Sequence, residues 1–124
     1  MYKNWTDVVE DVLVVQGITR DGDRLSFDSV TEFYEKIPEV TDMKPFAKSK
    51  LFEIPAELDE HGIHGMCSYQ PWITSGCSVY TWDELNRVSV MVHTCKDFDR
   101  DKAIDFIVDH FDMMDYRVGR VSYT

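Results

Sequence analysis

Val88, Val90 and Val92 alternate with Ser89, Met91 and His93, and nothing else in the chain limits its fold so sharply. Side chains on a β-strand point to opposite faces with a period of two, so this run predicts a strand with one apolar and one more polar face. A sheet built on such a strand must bury its apolar face under another layer. Two stretches carry the helical period that supplies one. Val30, Phe33, Tyr34 and Ile37 recur along one side of a first helix; Ala103, Ile104, Ile107, Val108 and Phe111 line one side of a second. Ser29 with Glu32 reads as a capping box for the first helix, and Pro38 is expected to stop it.

The remaining elements follow from composition and punctuation. Val12 to Val15 reads as a buried strand ending at Gly17, and Arg20-Asp21-Gly22-Asp23 as a turn. Phe46 to Ile54 is expected to be extended, bounded by Pro45 and Pro55. From Gly65 onward strands dominate, with Ser78 to Trp82 rich in β-formers and a final strand from about Tyr116 to Tyr123. Met113, Met114, Phe27, Phe33, Tyr34, Phe106 and Phe111 are assigned to the core or to helix ends. The order of elements predicts an α+β two-layer sandwich, with two helices on one face of a mostly antiparallel sheet. No repeat, low-complexity tract or composition break divides residues 1–124, so one domain is expected.

Charge and cysteine content narrow the partners. Thirteen basic against 23 acidic side chains give a net charge of -10 with no basic stripe, which disfavours a phosphate backbone and so nucleic acid. No apolar run approaches the roughly 20 residues of a membrane span, and the first residues lack a secretory pattern, so a cytoplasmic location is expected. Cys67, Cys77 and Cys95, an odd number, argue against a disulfide framework. His61, His64 and Cys67, with Cys77 and Cys95 later, have no strong zinc spacing, so no metal site is assigned.

Three stretches of the chain resemble one known family. His61-Gly62-Ile63-His64-Gly65 is similar to an HG-aliphatic-SG or HG-aliphatic-TG turn. Thr74-Ser75-Gly76-Cys77-Ser78-Val79-Tyr80-Thr81-Trp82-Asp83-Glu84 is similar to an ESH-x-S-I-H-T-W-P-E segment, and Val88 to Cys95 to a strand closed by F-T-C-G. These are motifs of the bacterial-type S-adenosylmethionine decarboxylases, small enzymes that cut themselves to make a pyruvoyl group. From Ser75 through Trp82 to Cys95 the match needs no gap; the first turn matches with three extra residues within Met66 to Ile73.

The resemblance implies a chemistry. A serine hydroxyl attacks the preceding carbonyl, the amide becomes an ester, and β-elimination breaks the chain and leaves a pyruvoyl group. That group condenses with a substrate amine and draws off electrons as carbon dioxide leaves, after which an acid protonates the α-carbon. By resemblance, the chain is cleaved between Thr74 and Ser75, Ser75 becomes the pyruvoyl cofactor, and Cys95 donates the proton. Glu84 grips the ribose hydroxyls of the substrate, and Trp82 and Leu58 stand at the substrate-binding positions.

Five positions depart from the family pattern. Tyr80 replaces the processing histidine, His64 the serine or threonine of the first turn, Thr74 the glutamate before the cleavage serine and Gly76 the histidine after it. Leu58 replaces the aromatic residue that stacks on adenine. His64 facing Ser75 would make two of these changes a compensating swap, with Tyr80 orienting the serine. Without the aromatic stack, a smaller amino acid such as ornithine or arginine becomes an alternative to S-adenosylmethionine. Two functions follow: a pyruvoyl-dependent decarboxylase of polyamine biosynthesis, or a non-cleaving relative that binds a ligand or regulates a partner. The resemblance also implies a homodimer.

Overall fold

A computed structural model describes residues 1–123. Six strands, β1 (Glu10–Thr19), β2 (Lys50–Ile54), β3 (Gly65–Trp72), β4 (Ser75–Trp82), β5 (Arg87–Thr94) and β6 (Met113–Tyr123), form one sheet in the order β2-β3-β4-β5-β1-β6. Every neighbouring pair is antiparallel. Helices α1 (Phe27–Val40) and α2 (Arg100–His110) pack on one face, which is the two-layer α+β sandwich expected.

Strand parity sets the two faces. Leu13 and Val15 of β1, Val79 of β4 and Val88, Val90 and Val92 of β5 turn toward the helices and are buried against Val30, Phe33, Ile37, Ala103, Ile107 and Phe111. Phe33 anchors this layer, its ring centroid 5.0 Å from Phe111 and 5.7 Å from Phe106. Burying an aliphatic or aromatic side chain of this size contributes about 1.5–3 kcal/mol, so the alternating valines hold the helices to the sheet. The opposite face is open. Phe52, Tyr69, Tyr80, Met91 and Val121 share it and remain exposed.

Several boundaries differ from expectation, each for a local reason. The cap of α1 is Ser26, one turn before Ser29; its side chain accepts the Ser29 N–H at 3.1 Å. Phe27 therefore begins the helix and is exposed, as is Met114. Pro38 does not stop α1, because so near the end it forfeits only the bond to the Tyr34 carbonyl. The helix runs to Val40 and is closed by Thr41, whose N–H and Oγ1 donate to the Ile37 carbonyl at 3.1 and 2.9 Å. β1 continues through Gly17, where β6 passes so closely that an added Cβ would lie 2.4 Å from the Asp115 carbonyl oxygen. Of the extended run from Phe46, only Lys50–Ile54 joins the sheet, while Pro45 makes an isolated bridge to Trp72.

Candidate active site

β3 and β4 form a hairpin whose turn is Ile73 and Thr74. Thr74 has φ 51, the left-handed region that a β-branched residue rarely adopts, and such strain costs on the order of 1–3 kcal/mol. Ser75 follows as the first residue of β4 and is buried. Cys95 lies one residue beyond the end of β5, which pairs with β4 so that Gly76 faces His93. This register sets the two side chains together. The Cys95 N–H donates to Ser75 Oγ at 3.0 Å, and Cys95 Sγ lies 3.1 Å from Thr74 Oγ1. Hydrogen bonding of the sulfur by Ser75, then by Thr74, holds the Cys95 thiol below its ordinary pKa. A thiol of lowered pKa, a fixed hydroxyl and a strained turn residue thus meet at one hairpin tip.

The other expected site residues lie elsewhere. Gly65 pairs with Trp82 and Trp72 with Ser75, so His64 and Ser75 occupy opposite ends of the hairpin, separated by about 24 Å of strand. The structure does not bring His64 to Ser75 within one chain. His64 meets Glu84 instead: its N–H and Nδ1 lie 2.8 and 2.9 Å from the two carboxylate oxygens. That hydrogen bond, then the carboxylate's charge, raises the His64 pKa, and the same bond lowers that of Glu84. Glu84, expected to grip ribose, is engaged at both oxygens. Tyr80 projects from the open face, opposite in parity to Ser75 and about 17 Å along the strand. Leu58 is 77% exposed in a short 3-10 turn (Ala56–Leu58), and Trp82 lies under the Arg87 guanidinium, 4.8 Å from its ring centroid.

Cys95 also lines a cavity of about 550 Å³, together with Tyr2, Asp11, Lys96, Arg100 and Arg120. Asp11 is buried, and its carboxylate accepts from Arg100 Nη1 at 2.7 Å and from Arg120 Nε and Nη2 at 3.2 and 3.4 Å. One carboxylate holds two guanidinium groups, each with further donors for an anion. Spacing within the sequence gave no sign of this cluster, because Asp11, Arg100 and Arg120 belong to three separate elements. His93, cross-strand from Gly76 and 3.1 Å from Glu10, is the histidine whose strand position lies nearest Ser75, and it too was missed. Cys77 is buried, which pushes its thiol pKa far up. Among the described residues no group of three or more His, Cys, Asp or Glu side chains is placed to hold a metal, and no helix is long and apolar enough to cross a membrane.

The fold is that of an S-adenosylmethionine decarboxylase. The crystal structure of the adenosylmethionine decarboxylase from Aquifex aeolicus VF5 superposes with a TM-score of 0.75 over 92% of this chain and 89% of that one, at 16% identity. A likeness at that identity carries the fold alone. Among curated protein sequences, none matches. The family model for S-adenosylmethionine decarboxylase matches residues 24–122, and the chain belongs to that family. The matched span contains the hairpin, Ser75 and Cys95.

Proposed function

We infer that this chain is a self-processing, pyruvoyl-dependent decarboxylase acting on an amino acid. The observation that carries the reading is the Ser75 hydroxyl, held by the Cys95 N–H at 3.0 Å directly after the strained Thr74. Oγ of Ser75 adds to the Thr74 carbonyl carbon while its proton passes to the Cys95 thiolate. The carbon–nitrogen bond then breaks, the Ser75 nitrogen takes that proton, and an ester replaces the amide. Cys95 stands in for the processing histidine, since His64 and Tyr80 lie elsewhere. Cleavage is needed once per chain, so a weaker base suffices.

The residues at the hairpin tip fit a pyruvoyl group at position 75: the hydroxyl that its formation consumes is present, and a thiol neighbours it. Such a group supplies the electrophilic carbonyl that accepts electrons as carbon dioxide leaves. Cys95 then holds the proton returned to the substrate α-carbon. The adjoining cavity has room for an amino acid, and Arg100 and Arg120, braced on Asp11, offer their free donors to a carboxylate.

The substrate is S-adenosylmethionine or a smaller amine-bearing acid. Exposure of Leu58 and engagement of Glu84 by His64 favour the smaller one. Carbon dioxide release from carboxyl-labelled S-adenosylmethionine, ornithine and arginine tests this. Release from one of them, abolished in Cys95→Ala, is expected; no release from a processed chain contradicts it. The placement of His64 and Tyr80 away from Ser75 favours a second reading, a non-cleaving regulatory relative. An intact chain that changes the activity of a co-purified decarboxylase would establish that reading instead.

We also propose a homodimer joined through the open sheet face, where Tyr69, Tyr80, Met91 and Val121 form an apolar surface on an otherwise acidic chain.

A further inference from the structure

The phenol of Tyr69 crosses from β3 onto β4 over Gly76. A Cβ built on Gly76 would lie 2.2 Å from the Tyr69 hydroxyl oxygen and 2.6 and 2.7 Å from two of its ring carbons. Any side chain at position 76 would therefore displace the ring. In this position the Tyr69 hydroxyl donates to the carbonyl oxygen of Ser75 at 3.5 Å. That oxygen has a specific part in self-cleavage. Once Thr74 is an ester on Oγ, the next event is removal of the Ser75 Cα proton, and the electron pair left on Cα spreads onto the neighbouring carbonyl oxygen.

We propose that Tyr69 is a catalytic residue of self-cleavage, its hydroxyl stabilising the negative charge that collects on the Ser75 carbonyl oxygen during β-elimination. The inference rests on the self-processing reading above. The Cys95 thiolate takes the Cα proton, the electron pair forms the Cα–Cβ double bond, and Cβ–Oγ breaks so that Thr74 leaves as a carboxylate. The dehydroalanine at position 75 tautomerises to an imine, and water releases ammonia to give the pyruvoyl carbonyl. A separation of 3.5 Å is long for a neutral hydroxyl–carbonyl bond and shortens as the oxygen gains charge. Gly76, where the family has histidine, is thus the residue that admits the phenol.

Removing a preorganised oxyanion donor typically slows a reaction by about 10²–10³-fold, and that is the loss expected here for the elimination step. The test compares the wild-type chain with Tyr69→Phe, which removes one oxygen atom, and Gly76→Ala, which displaces the phenol but keeps its hydroxyl. Each is incubated with and without neutral hydroxylamine and weighed by denaturing mass spectrometry. Hydroxylamine cuts an accumulated ester at Thr74 and leaves an unmodified serine at the new N-terminus. The inference expects wild type to split unaided, and both variants to stay joined until hydroxylamine divides them. A Tyr69→Phe chain that splits unaided at the wild-type rate overturns the role of Tyr69 and leaves the self-processing reading standing. A Tyr69→Phe chain that resists hydroxylamine as well overturns it too, since the block then precedes the ester. A wild-type chain that never splits under either condition overturns both.

Discussion

On the proposed self-processing reading, Cys95 and Ser75 form the pair on which function turns, and their chemistry depends on protonation. Hydrogen bonding with Ser75, then with Thr74, lowers the Cys95 pKa, so its thiolate persists at lower pH than a free cysteine's. A base of this kind is expected to make self-cleavage faster as pH rises through the Cys95 pKa, with the midpoint of the rise below 9.0, the ordinary value. Time courses of cleavage across pH check this. Cys95→Ser, with a far weaker base, is expected to slow cleavage by about 10²–10⁴-fold. His64 and Glu84 are a second titrating pair, at the other end of the hairpin. Because the His64 pKa is raised, its contribution to stability is complete below 6.5 and is lost as pH climbs through the higher folded value. The Glu84 pKa is lowered, so its contribution is complete above 4.5 and lost in acid. Glu84→Gln is expected to return the His64 pKa toward 6.5, as measured by NMR titration of the imidazole. An unchanged pKa would show that the pair does not form in solution.

At the scale of elements, the β3–β4 hairpin decides what reaches what. Thr74 carries the strain of its turn, and Thr74→Gly removes the penalty of positive φ. That variant is expected to be more stable by roughly 1 kcal/mol and slower to cleave, since strain at the scissile residue is released on cutting. Thermal melting and the cleavage time course together check both parts. The same hairpin shows what could be read from residues alone. The valine alternation gave β5 and its apolar face, and the helical spacing gave the buried sides of α1 and α2, because both patterns are local. The closeness of Ser75 and Cys95 was legible as well, since β4 and β5 pair without a bulge over the gap-free stretch. The position of His64 was not legible. β3 runs eight residues from Gly65 to Trp72, and its register with β4 carries His64 to the end of the hairpin away from the turn. Nor could spacing reveal Tyr69 over Gly76, a contact diagonal to the register. The cap of α1 was misread because Ser26 and Ser29 are one turn apart and both suit the N-terminus.

Across the whole molecule, helices cover one face of the sheet and leave the other open. The open face carries aromatic and aliphatic side chains in a chain with a net charge of -10, and burial against a second copy would remove that surface from water. Light scattering at micromolar concentration is expected to give twice the chain mass, and Met91→Lys, in the middle of that face, to give a monomer that keeps its fold. A wild-type monomer would contradict the dimer. The active-site reading rests on a covalent event that leaves a permanent mark on the chain. Prolonged incubation followed by intact mass under denaturing conditions reads that mark. Two fragments divided between Thr74 and Ser75, the second blocked at its N-terminus by a pyruvoyl group, are the expected result; a single species near 14.5 kDa would contradict it.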